Sequence, residues 1–355
     1  MPKVTVIVTV YKRTEFLRIA LQSALDQTFQ DFELIVADDS DSDAIRQISD
    51  SFGSDKIRYR SQEKNLGIAL NLRTAVAEAK GTYVAILNDD DLWEPRFLEK
   101  LVAPLDADPR FVLAFSDHWI IDGAGEVKVP ETDANSRTFG RSDLPGGDVR
   151  RLDDLVLQRN GVPLAMAAVF RADAIDWTKV VAEVSGAYDY WISMLIAASG
   201  GKAWYVAERL TRYRVHAAME TGRRAPDKHA HLIYMYTSLL QTGAFPQHKD
   251  LLQRALATAL YMVGKDSLAF EHVREARSYL GKSLNIEFRG RTLAMLCLSC
   301  CPTGVRAKAF SRLDSGVTRH GARRASRSSA RPALPRAAGA RTAGTRRPSR
   351  HDIPE

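Results

Sequence analysis

No stretch of this 355-residue chain approaches the ~20 consecutive apolar residues that a membrane helix needs. No secretory leader is expected, because Val4–Val10 runs straight into a polar loop with no basic segment before it. The expected compartment is therefore the cytoplasm. Cysteine is scarce. Cys297, Cys300 and Cys301 form an odd cluster, which argues against a disulfide framework. Cys-x-x-Cys-Cys can open a zinc site, but no second pair of Cys or His lies nearby. Packing in an apolar helix accounts for these residues better. Net charge is small outside one segment. Residues 305–355 hold 13 Lys and Arg against 3 Asp and Glu, whereas the rest holds 37 against 40. The overall +7 is thus a property of the tail, and the remainder is mildly acidic.

That tail is rich in Arg, Ala, Ser, Gly and Pro, with almost no large apolar residue after Leu313. It cannot bury enough surface to offset its ordering entropy, so disorder is expected over 305–355. Arg runs without interleaved aromatics give at most sequence-independent, salt-sensitive binding. No specific nucleic-acid partner is expected. An anionic membrane surface is the partner such a tail would meet, at the periphery of the inner face.

What is present is a 45% hydrophobic composition that suits a globular core of one large or two medium domains. Lys3–Val10, Phe32–Ala37, Ile57–Tyr59, Tyr83–Leu87 and Phe111–Phe115 read as strands. Helices are expected after Thr14, which can cap one, and over Ala44–Phe52, Ile68–Ala79 and Arg96–Leu105. Such alternation implies an α/β fold with a mostly parallel, doubly wound sheet and helices on both faces. Residues 120–150 read as an excursion loop. Leu164–Phe170 and Trp204–Val206 read as later strands. From Lys228 to Leu298 apolar residues recur at helical spacing. The expected organisation is 1–222 as the main domain, 223–304 as a helical region and 305–355 as the tail.

The strand Tyr83–Leu87 ends abruptly in Asn88-Asp89-Asp90-Asp91. Carboxylates packed that tightly repel unless water or a cation relieves them. A hard divalent cation is the natural partner at a buried strand end, where ligands of α/β proteins also bind. Around this cluster stand weaker signals. Thr9-Val-Tyr11-Lys-Arg13-Thr14 joins a strand end to a helix start and suits a phosphate or a base. A capped turn with exposed polar residues explains it equally well. Asp38-Asp39 can accept hydrogen bonds from a ribose or a base. Asn65-Leu-Gly67 lets backbone approach a ligand, or serves only its turn. Asp189, set among Tyr188, Tyr190 and Trp191, loses solvation and becomes a better proton acceptor, unless it merely favours a helix start. Tyr213-Arg214-Val215-His216 alternates, presenting Arg214 and His216 on one side.

Taken in order, these motifs resemble the family-2 glycosyltransferases of GT-A fold, over about Pro2 to His216. Val4–Tyr11 resembles the family's opening strand and nucleotide loop. Leu25–Leu34 resembles the approach to its second strand, and Val36–Ser40 its base-binding acidic turn. Asn65-Leu-Gly67 and Lys80-Gly81-Thr-Tyr83 match the run-up to the metal motif. The family's Asp-x-Asp reads here as Asn88-Asp89-Asp90, with an amide first. The Gly186–Asp189 segment resembles the family's base motif with Tyr188 in place of Glu. The processive members' Gln-x-x-Arg-Trp is absent.

The resemblance implies a Rossmann-like, doubly wound mixed sheet and an inverting, non-processive transferase. Its donor would be a nucleotide-diphosphosugar, UDP- or dTDP-linked. Its acceptor would be a saccharide or lipid-linked hydroxyl in cell-surface polysaccharide or glycolipid assembly. Asp189 would be the base. Asp90 and His216 would hold Mg²⁺ or Mn²⁺. Thr9, Tyr11, Arg13, Asp38, Asp39, Asn65, Gly67, Asn88, Asp89 and Arg214 would bind the substrate. Competing expectations are a sugar-phosphate nucleotidyltransferase, against which the glycine-free first loop argues, and a degenerate nucleotide-binding member, which Asn88 keeps open.

Overall fold

Parallel strands covered on both faces need no polar alternation, which explains the run Val-Thr-Val-Ile-Val-Thr-Val. In the computed structural model, which describes residues 1–216 and 229–304, that run is β1 (Val4–Val10), with every residue buried. β2 (Phe32–Asp38) and β3 (Ile57–Ser61) continue it in parallel on one side. β4 (Tyr83–Asn88) lies parallel on the other. Helices α1 (Leu17–Leu25), α2 (Asp43–Asp50) and α3 (Ile68–Val76) make the crossovers. Beyond β4 come β5 (Leu92–Trp93), α4 (Phe97–Ala107), β6 (Phe111–Ile121), α5 (Val129–Thr138) and β7 (Gly147–Val149). Next are α6 (Leu152–Arg159), α7 (Leu164–Ala167), β8 (Ala168–Arg171), α8 (Tyr188–Ala198) and β9 (Lys202–Arg214).

The nine strands of the described residues form one sheet in the order β3-β2-β1-β4-β8-β6-β9-β5, with β7 also on β9. β8 runs antiparallel to both neighbours, so β4, β6 and β9 all point the same way. The two-residue period of β1 and β2 sorts their side chains between two cores. Val4, Val6, Val8, Leu34 and Val36 pack with α1 and α4. Ile7, Ile35 and Ala37 pack with α3 and α8. The doubly wound mixed sheet expected from the sequence is the fold observed.

Several local expectations need correction. Thr14 does not cap α1, whose N-cap is Phe16 without a side-chain bond. Residues 120–150 are not a plain loop, because α5 and β7 lie within them. Leu164–Ala167 is a helical turn that only then passes into β8. β6 and β9 extend well beyond the short strands expected. β6 is buried along nearly its whole length, whereas β9 alternates between buried and part-exposed positions. Cys297 is exposed on the helix Gly290–Ser299.

The helical region consists of α9 (Ala230–Thr242), α10 (Lys249–Ala269), α11 (Val273–Ile286) and α12 (Gly290–Ser299). Met235, Leu239, Phe245 and Leu252 from this region join the α3/α8 side of the core. Met1–Ser299 is one compact unit. Of the second unit, which starts at Cys300, only Cys300–Gly304 is described. The disorder expected over 305–355 lies outside the described residues.

One glycine fixes the spacing of β1 and β4. The Gly81 N–H donates to Thr5 Oγ1 at 2.9 Å, and a Cβ there would stand 2.4 Å from the Thr5 nitrogen. Backbone cannot yield to that contact as a flexible side chain would. Gly81→Ala is expected to cost about 3 kcal/mol, read from the denaturant midpoint. An unchanged midpoint would contradict this reading of the junction.

Candidate active site

The register brings three strand ends together. Thr9 pairs with Ala37 and with Asn88, and Val10 with Asp38. The loop after β1, the acids after β2 and the acids after β4 therefore share one edge. Thr9 Oγ1 is buried there without a hydrogen-bond partner, an unmet polar atom at that edge.

The first loop turns sharply. Lys12 is held at φ 60°, a left-handed conformation unusual for a lysine, while its N–H donates to Ser40 Oγ. The turn leaves Tyr11 exposed and carries Arg13 inward. Tyr11 neighbours Lys12 and Asn65, which together lower the pKa of its phenol.

Asp38 and Asp39 have different duties. Asp38 is fully buried. It accepts from the Ser40 N–H (2.9 Å), Ser40 Oγ (2.6 Å), the Ser42 N–H (2.8 Å) and Tyr59 Oη (2.8 Å). These bonds build the turn. Asp39 accepts from the N–H groups of Leu66 and Gly67, both at 2.8 Å. Burial raises its pKa, against those two bonds. Gly67 sits at φ +78°, and a Cβ there would meet Ser185 Oγ at 3.0 Å. Asp39 thus ties the Asn65–Gly67 turn to the β2 end, and Gly67 lets the 182–187 segment approach it.

Arg13, His216 and three carboxylates meet at the β4 end. Arg13 holds Asp89 with Nη2 (2.5 Å) and Nε (3.1 Å), and Asp90 Oδ2 with Nη1 (2.7 Å). His216 Nε2 lies 3.0 Å from Asp90 Oδ2 and 3.0 Å from Arg13 Nη1. Asp89 and Asp90 are buried, and Asp91 is fully so. Burial pushes Asp89 up to about 6, although Arg13 opposes the shift. Burial and the Asp90 charge push Asp91 up to about 8. Asp91 accepts from the Arg214 N–H (2.9 Å) and from Asn88 Nδ2 (3.0 Å). Asn88 Oδ1 in turn accepts from Tyr188 Oη at 3.2 Å. An amide at position 88 can therefore donate to one buried neighbour and accept from another, which an ionised Asp could not do.

Tyr188 opens α8, so its bond to Asn88 brings the start of that helix to the same edge. Asp189 follows in the first turn. Burial raises its pKa, opposed by the N–H groups of Tyr190 and of Asp189 itself. The Arg214 guanidinium is buried over the Phe16 ring (4.4 Å). It donates to the carbonyls of Asp90 (2.9 Å), Asp122 and Gly123 (both 3.2 Å). These bonds brace the strand ends and leave Arg13 as the more accessible cation at the cleft.

Three features had no warning in the sequence. They are the Tyr188–Asn88 bond, the Asp91–Arg214 bond and the placement of Arg13 among the acids. Each joins residues far apart in the chain, and none has a local pattern. A further group, Asp153, Asp154 and His248, brings three metal-type donors together. Arg151 and Gln247 already share its carboxylates, so it reads as a clamp between α6 and the start of α10. Cavities of about 510 Å³ (with Asp148, Arg150 and Lys202) and about 640 Å³ (with Asp117, Trp119 and Arg209) include none of the acidic-motif residues. No described helix is long and apolar enough to cross a membrane.

Residues 5–150 match the sequence model of glycosyl transferase family 2. The fold is that of solved GT-A enzymes. The chain is similar to S. aureus TarS 1–349, solved with UDP-GlcNAc, at a TM-score of 0.63 and 17% identity over 90% of this chain and 92% of that one. It is also similar to the mannosyltransferase PcManGT from Pyrobaculum calidifontis, solved with GDP-Man and Mn²⁺, at 0.52 and 18% over 89% and 86%. A Campylobacter jejuni GalNAc(5)-diNAcBac-PP-undecaprenol β-1,3-glucosyltransferase is 24% identical over 322 residues, 87% of this chain and 96% of that enzyme. Relatives at 32–34% identity align with about a third of this chain, which spans less than half of their length. Residues 5–150 are thus similar to family-2 glycosyltransferases, and the fold is of the GT-A type.

The duty assigned to Asp38 is testable. Losing a buried carboxylate that accepts four hydrogen bonds is expected to cost about 3 kcal/mol, since bonds to charged groups are the costly ones to lose. Asp38→Ala should lower the melting temperature accordingly, and an unchanged melting temperature would contradict the assignment.

Proposed function

We propose that this chain is an inverting glycosyltransferase that moves one sugar from a nucleotide-diphosphosugar to an acceptor hydroxyl. The acceptor is a saccharide or a lipid-linked saccharide, in polysaccharide or glycolipid assembly. A UDP- or dTDP-linked donor agrees with the resemblance of the first loop and the acidic turn to the family's nucleotide site. The glucosyltransferase relative, whose name contains an undecaprenol-linked saccharide, supports the acceptor class. Attachment to a cytoplasmic membrane face through the basic tail belongs to the same proposal.

One observation carries it. Asp90 and His216, 126 residues apart, place Oδ2 and Nε2 3.0 Å from each other at the edge that Asp39 and the start of α8 also reach. Oxygen and imidazole donors so placed fit Mn²⁺ or Mg²⁺. A bound ion would supply charge neutralisation for the departing diphosphate. The protein's own residues do the rest. Tyr11 and Asp39 receive the base and ribose, with Asn65 and Gly67 lining the turn. Thr9, Asn88 and Asp89 line the sugar–phosphate side. Asp189 takes the proton of the acceptor hydroxyl, whose oxygen attacks the anomeric carbon opposite the nucleotide. The C–O bond to diphosphate breaks as the new one forms, and the configuration inverts.

A panel of nucleotide-sugars, screened for thermal stabilisation and hydrolysis with and without Mn²⁺, tests the reading. Asp189→Asn is expected to lower kcat by ~10²–10⁴ while nucleotide affinity survives. Loss of both together with a lowered melting temperature would make Asp189 structural. The sign of the pH effect follows from the raised pKa of Asp189. The base works when ionised, so activity should fall as pH drops through a value above the ordinary aspartate range. An acid limb at the ordinary value would contradict the burial assigned to it.

A further inference from the structure

Arg13 Nη1, Asp90 Oδ2 and His216 Nε2 form a closed triangle with sides of 2.7, 3.0 and 3.0 Å. In that triangle Nη1 carries protons and Oδ2 carries lone pairs. A neutral His216 can turn the lone pair of Nε2 toward Nη1. Two lone pairs then converge on one cationic nitrogen. A divalent cation would use that same convergence, and two cations cannot use it at once.

We infer that Arg13 is the resident cation of this site and exchanges places with the divalent ion. In the nucleotide-free chain Arg13 neutralises Asp89 and Asp90. When the ion and donor arrive, the guanidinium leaves Asp90 and His216 and turns to the diphosphate. This inference rests on the reading of Asp90 and His216 as cation donors. Three observations support it. Of the two site arginines Arg13 has the more exposed side chain, at 29%. Arg214 is buried and bonded to carbonyls instead. Lys12, the residue before Arg13, is held at φ 60°, so the loop reaches the acids through an unfavourable turn rather than a relaxed one. Burying two acids without a countercharge is costly, so the exchange lets the site stay neutralised before and after donor binding.

The test is Mn²⁺ binding by electron paramagnetic resonance on the full chain without nucleotide, at one fixed pH above the ordinary histidine range. The proteins are wild type, Arg13→Gln, Arg13→Lys and Asp90→Asn. Removing the competitor should tighten Mn²⁺ binding roughly tenfold or more in Arg13→Gln, as expected for losing charged hydrogen bonds. Arg13→Lys, which keeps the charge but loses the fork, should fall between. Asp90→Asn should weaken binding. Adding UDP or dTDP should tighten Mn²⁺ binding in wild type by a larger factor than in Arg13→Gln. Circular dichroism on each variant separates loss of fold from loss of competition, and Arg13→Lys preserves the test where Arg13→Gln unfolds. Equal Mn²⁺ affinity in wild type and both Arg13 variants, with Asp90→Asn still weaker, overturns the exchange and leaves the cation site standing. Mn²⁺ binding that ignores Asp90 as well overturns both.

Discussion

Three consecutive carboxylates at the end of a buried strand dominate this structure. Asp89, Asp90 and Asp91 are all largely withdrawn from water, where each ionised carboxylate carries a desolvation cost of several kcal/mol. The surrounding chain is arranged around that cost. Arg13 comes from the β1 end, His216 from beyond β9, and Arg214 donates its N–H from β9 itself. Burial still shifts two of the three acids upward. Asp91 reaches about 8, because burial and the neighbouring Asp90 outweigh the hydrogen bonds it receives.

Most of the sheet was legible in the sequence. β1, β2 and β4 are short, apolar and bounded by polar turns, and β3 (Ile-Arg-Tyr-Arg-Ser) alternates, so their patterns mark them directly. The acids that end β2 and β4 stand out for the same reason. Other features depend on tertiary contacts. The helical turn at Leu164–Ala167 is as apolar as a strand, and only its position above β4 and α8 decides its form. α5 is weakly amphipathic and contains Pro, Asn and Ser, so its sequence looks like a loop. It is held by Thr132 Oγ1, which accepts from the Ile120 N–H, and by the buried Ser136–Asp117 bond.

The site was half legible. Each strand-end motif carried a chemical hint, but its partner did not. Asp38 and Asp39 are adjacent and chemically identical, yet one builds a turn and the other anchors the 65–67 segment. Only the hydrogen bonds separate them. Asn88 looked like a defect in an acidic motif. The geometry gives it a reason, since its amide must donate to Asp91 and accept from Tyr188. Arg13 read as a phosphate binder. Its contact with three site residues at once, across up to 203 positions in sequence, adds a second duty that no local pattern encodes.

The central claim is that one ligand spans Asp39, Asp90, Asp189 and His216. A crystal structure of the full chain with UDP or dTDP and Mn²⁺ measures this directly. The account predicts the base beside Tyr11 and Asp39, the diphosphate over Asp90 and His216 with Arg13 turned onto it, and open space from the β-phosphate to the Asp189 carboxylate. A nucleotide seated in the cavity bounded by Asp148 and Lys202, with Arg13 still on Asp89 and Asp90, would contradict it.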